Sequence, residues 1–142
     1  MKSFHRSILH RVSLAALGLT FATGSTWAKD IRVALSGAEE TPPVETSATG
    51  SGTIRIGDDK SVSGSIRTSG IDGVAAHIHV APKGQAGPPI ITLEKGADGA
   101  WTIPAGAKLS EEQEVSLRAG NLYVNVHSAA HKPGEIRGQL AP

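Results

Sequence analysis

The chain has 142 residues, with 14 lysines and arginines, 13 aspartates and glutamates, and no cysteine. That length fits one domain, and the cysteine count excludes disulfide staples and thiolate chemistry. A charge this close to neutral gives no electrostatic case for nucleic-acid binding.

Residues 1–28 read as a secretory signal peptide. Lys2, His5, Arg6, His10 and Arg11 make a basic start, Val12 to Ala22 is mainly apolar, and Ser25-Thr26-Trp27-Ala28 ends on small residues at minus three and minus one. The apolar run is short for a bilayer span, so cleavage is expected and a retained anchor is the alternative. Cleavage after Ala28 leaves a domain at 29–142, with 11 basic and 13 acidic side chains and a net charge of −2. That domain has no membrane span. Trp101 and Tyr123 are its only aromatics and it has no methionine, so its core is expected to be Val, Ile, Leu and Ala.

Asp30 to Leu35 alternates polar and apolar residues, which predicts a strand with one buried face. The prolines in Glu40-Thr41-Pro42-Pro43-Val44 remove backbone donors, so that stretch is an edge or a crossing. Residues 48–52 are small and loose. Gly52–Ile56 and Ser61–Thr68 predict a hairpin around the turn residues Gly57-Asp58-Asp59-Lys60. After a turn at 70–73 comes a strand whose Val74, Ala76, Ile78 and Val80 point into the core, while His77 and His79 point the other way.

Pro82 to Pro88 is a loop, Pro89–Leu93 a strand, and Ala100–Ile103 a short strand after an Asp98-Gly99 turn. Ser110-Glu111-Glu112-Gln113 has capping-box spacing, and the stretch to Arg118 suits the one helix, with Gly120 placed to end it. In the next strand Leu122, Val124 and Val126 face in; Tyr123, Asn125 and His127 face out. A last strand puts Glu135, Arg137 and Gln139 on one face. Many short strands with Gly and Pro turns predict an antiparallel sandwich or barrel.

His-x-His on a strand puts two rings on one face, about 7 Å apart at the backbone. A third histidine on a comparable strand makes His77, His79 and His127 a candidate metal set, and His131 a further candidate or a solvated loop residue. With no Cys or Met in the domain, an all-imidazole site suits copper(II), with zinc(II) as the alternative. The same histidines also fit a metal-free, pH-sensitive contact surface for an envelope or extracellular protein. Arg137 could steer or bind an anion if its face is the histidine face; an ion pair with a nearby carboxylate such as Glu135 is the alternative. No serine sits in a nucleophile-elbow pattern and no phosphate-cradling glycine loop occurs.

The chain resembles the CHRD (chordin) domain family. The resemblance is carried by Gly37 with Glu40-x-Pro42-Pro43-Val44, by Ala76-His77-Ile78-His79 with Gly87-Pro88, and by Ala119 to His127 followed by Gly134 to Gln139. It implies a secreted or periplasmic all-β module; in animals such domains occur in chordin, an extracellular antagonist of bone morphogenetic proteins. A weaker likeness is to copper-containing superoxide dismutases, Greek-key sandwiches in which a His-x-His strand, a later histidine strand and an arginine occur in the order His77, His79, His127, Arg137. No histidine lies between His79 and His127 and no Cys pair exists, so this likeness implies copper alone. The expected architecture is an antiparallel Greek-key β-sandwich or barrel with one short helix.

Overall fold

The computed structural model describes residues 28–142; the leader expected at 1–28 therefore lies, but for Ala28, outside the described residues. Nine strands form: β1 (Lys29–Ser36), β2 (Thr49–Ile56), β3 (Val62–Ser69), β4 (Gly73–Val80), β5 (Pro89–Thr92), β6 (Glu94–Lys95), β7 (Ala100–Thr102), β8 (Leu122–Ser128) and β9 (Ile136–Leu140). A 3-10 turn (Gly37–Glu39) follows β1, and one helix, α1 (Glu111–Arg118), links β7 to β8.

The strands make a single sheet in the order β5-β4-β8-β9-β1-β2-β3-β7-β6. Its two ends are one piece of chain. The Leu93 N–H donates to the Ala76 carbonyl (2.9 Å) between β5, which pairs with β4, and β6, which pairs with β7. Lys95 Nζ reaches the Gly73 carbonyl at 2.6 Å. The sheet is thereby rolled into a nearly closed barrel, the all-β architecture expected, with no second sheet among the described residues.

The alternation of apolar residues decides what fills it. Ile31, Val33 and Leu35 of β1, Ile54 and Ile56 of β2, and Ile66 of β3 point inward. So do Ala76 and Ile78 of β4, Leu122, Val124 and Val126 of β8, and Ile136 and Leu140 of β9. Trp101 joins them. This apolar area removed from water is the main term holding the barrel together. Among the described residues no helix is long and apolar enough to cross a membrane.

Local signals hold in detail. Ser110 Oγ accepts from the Gln113 N–H (3.2 Å) and Gln113 Oε1 from the Ser110 N–H (2.9 Å), a reciprocal capping box. Gly120, at φ +75°, ends the helix. Three expectations need correction. Residues 49–52 are not loose but pair with both β1 and β3; a Cβ at Gly52 would collide with the Ser65 carbonyl, so the small residue permits the close pairing. Val74 does not point into the core. Gly73 pairs with Ser128 and Ala75 with His127, so β4 has one residue too many there, and this bulge leaves Val74 58% exposed. Tyr123 and Asn125 do leave the barrel interior, but into a second buried layer, at 3% and 2% exposure.

Candidate metal centre

Strands β4 and β8 run antiparallel with His77 opposite Asn125, His79 opposite Tyr123 and Ala75 opposite His127. His127 is thus diagonal to His77 on the same face, within reach of a long side chain. The rings of His77 and His127 lie 4.9 Å apart centre to centre, those of His77 and His79 5.4 Å, and those of His79 and His127 5.9 Å. One ligating nitrogen from each falls within 4.8 Å of the others. Two nitrogens bound to one ion at about 2.0–2.1 Å and a tetrahedral angle are about 3.3 Å apart. His77 Nδ1 and His127 Nε2, at 3.0 Å, are already near that spacing.

Backbone carbonyls decide which nitrogens carry protons. His79 Nδ1 lies 2.9 Å from the Gly87 carbonyl and His127 Nδ1 lies 2.8 Å from the Lys132 carbonyl. A carbonyl can only accept, so both Nδ1 atoms are donors, and each neutral ring keeps its lone pair on Nε2. With no ion bound, the Nε2 of His127 accepts from His77 Nδ1, and ligation through His77 Nδ1 requires the other tautomer of that ring. The Nε2 of His79 is buried and has no hydrogen-bond partner. Burial pushes the pKa of His77 and His79 down; repulsion from His127 adds to this at His77, and from His77, His127 and Arg137 at His79, against the raising effect of the Gly87 carbonyl. The neutral, ligating form is the favoured one.

The layer beside the histidines is polar but covered. The Tyr123 ring, on the middle strand of β4-β8-β9, stacks on His79 (4.8 Å, 8° between planes) and also carries the Arg137 guanidinium 3.5 Å from its centre. Arg137, the candidate for steering or binding an anion, is 2% exposed. Its Nη1 donates to the Gln85 carbonyl (2.7 Å) and its Nη2 to the Pro82 carbonyl (3.1 Å) and Gln139 Oε1 (3.0 Å). It clamps the loop 81–88 across the sheet, and that loop supplies the Gly87 carbonyl to His79. Arg137 does not pair with Glu135, which accepts from Thr46 Oγ1 at 2.8 Å. His131 stands outside the histidine group. Its N–H donates to Ser128 Oγ (3.1 Å) and its carbonyl accepts from the Gly134 N–H (3.1 Å), closing the turn after β8.

Sequence reasoning left Glu40 without a role. Its carboxylate accepts from Asn125 Nδ2, and a Cβ at Gly134 would collide with both groups. Burial raises its pKa to about 7 despite attraction from Arg137 and the hydrogen bonds. Asn125 Oδ1, like His79 Nε2, is buried without a partner. Both unsatisfied atoms are lone-pair bearers, the kind of group a cation satisfies and an anion does not. The one signal in the sequence was indirect: Glu40, Asn125, Gly134 and Arg137 all stand in the motif pieces that carry the family resemblance, and here they meet.

The fold and site define a class: a small antiparallel β-barrel with a histidine triad at the edge of a covered polar layer. The CHRD domain family model matches residues 31–140, and the chain belongs to that family. Such domains occur in secreted and extracellular proteins. No curated protein and no solved structure matches the chain. The weaker likeness to copper-containing superoxide dismutases is not borne out.

Proposed function

We propose that this chain is an exported domain, periplasmic or secreted, that holds one transition-metal ion through His77, His79 and His127. Copper(II) suits the all-imidazole donor set, with zinc(II) as the alternative, since residues 29–142 offer no Cys or Met. The observation that carries the reading is His79 Nε2. It is buried, its tautomer is held by Gly87 and it has no partner, and His79 offers a ring nitrogen within 4.8 Å of ring nitrogens on His77 and His127. Leaving such an acceptor unpaired costs about 1–3 kcal/mol, and a cation removes that cost. Storage or delivery of the ion needs nothing more than this site. Superoxide dismutase-like turnover is the finer reading, and the place of Arg137 lends it no support.

Titration of the purified protein with copper(II) and with zinc(II) tests the proposal. One equivalent is expected to bind, with affinity lowered at least 100-fold by His79→Ala, more than the 10–100-fold typical of supporting residues. Stoichiometric binding that persists in the His77→Ala, His127→Ala double variant would sink it.

A second reading, a metal-free interaction module for an envelope or extracellular protein, is favoured by one contact. The 3.0 Å hydrogen bond between His77 and His127 satisfies both nitrogens without an ion. A partner recovered from envelope extract with equal yield before and after chelation supports that reading.

A further inference from the structure

The histidine group is closed on one side and open on the other. His79 is 7% exposed, lying against Tyr123 and the loop that carries Gly87. His77 and His127 are only half-buried and line a groove of about 480 Å³ together with Val74, Ala75, Ser128, Ala129 and Lys132. The bulge at the start of β4 explains why Val74 stands at this groove and not in the core. Three protein nitrogens leave a four-coordinate ion with one open position, and the groove is where His77 and His127, two of the three histidines, meet solvent.

The groove has a definite chemical character. Val74, Ala75 and Ala129 offer no side-chain donor or acceptor. No carboxylate lines it, and Lys132 is its one charged side chain apart from the histidines. Among the described residues Lys132 makes no ion pair. A cationic residue on apolar walls, above a bound cation, favours an anion and gives it little else to hold.

We propose that this groove admits a small anion with a ligating terminal atom to an open position on the bound ion, with Lys132 supplying the long-range attraction. This rests on the metal-binding reading above and adds to it the class of exogenous ligand. A charge about 8 Å from the ligand changes its affinity about 2.4-fold in water, so reversing that charge changes it about six-fold.

Azide is the probe. The full chain is loaded with one equivalent of copper(II), loading is verified by metal analysis, and azide is titrated at low salt and at high salt. The readouts are the azide-to-copper charge-transfer absorption and the electron paramagnetic resonance of the copper. Saturable binding is expected, about six-fold weaker in Lys132→Glu at low salt, with most of that difference lost at high salt. Val74→Glu, at an exposed position that also lines the groove, is expected to weaken binding in the same direction. A loaded protein whose copper spectra ignore azide overturns the open position and leaves the metal reading standing. Equal azide affinity in the wild type and both variants overturns the role of the groove. Failure to load copper removes the metal reading and this inference with it.

Discussion

Replacing Glu40 by glutamine isolates the one strongly displaced carboxylate in the polar layer. Glu40 is 8% exposed, and burial lifts its pKa from 4.5 to about 7. A carboxyl with a raised pKa binds its proton more tightly in the folded than in the unfolded chain. The resulting stability is complete below pH 4.5 and is lost as the pH rises through 7. A rise of that size corresponds to about 3 kcal/mol. Glutamine keeps the shape and can still accept from Asn125 Nδ2, but it never becomes charged. Urea unfolding of both proteins from pH 4.5 to 8.5 gives a difference curve in which every other titration cancels. The two proteins are expected to be similar at pH 4.5, with Glu40→Gln the more stable by up to about 3 kcal/mol at pH 8.5. A difference that is flat with pH, or a variant weaker than wild type at pH 8.5, refutes the reasoning.

Arg137→Met removes the clamp on loop 81–88 and the positive charge that faces Glu40. A loss of about 3 kcal/mol is expected at pH 8, a smaller one at pH 5 where Glu40 is protonated, with faster amide exchange at 82–88; equal losses at both pH values contradict the coupling. Free copper(II) at a hundred times its dissociation constant should raise unfolding stability by about 2.7 kcal/mol. Chelation or His79→Ala should remove that increment, and its survival in the variant argues against His79 as a ligand. Ser110→Ala breaks the capping box of α1 and should cost about 1 kcal/mol in urea unfolding; no loss means the box contributes nothing to stability.

The inward rows were legible in the sequence because a pleated strand alternates its faces, so Ile31, Val33 and Leu35, or Leu122, Val124 and Val126, declare their side without any knowledge of their neighbours. The helix and its ends were legible for a similar reason: Ser110, Gln113 and Gly120 act on the backbone within a few residues of themselves. What the alternation left undecided is what covers the other face. Tyr123, Asn125 and Arg137 read as outward residues, and they are outward from the barrel. They are buried because the loops at 37–48 and 81–88 fold across them, and a loop's path has no periodicity to read. Val74 was misplaced by a one-residue bulge, a property of how β4 pairs with β8 and of neither strand alone. The meeting of His77 and His127, 50 residues apart, depends on that same long-range pairing. Local patterning chose the faces; tertiary pairing and loop coverage chose which of those faces became a site.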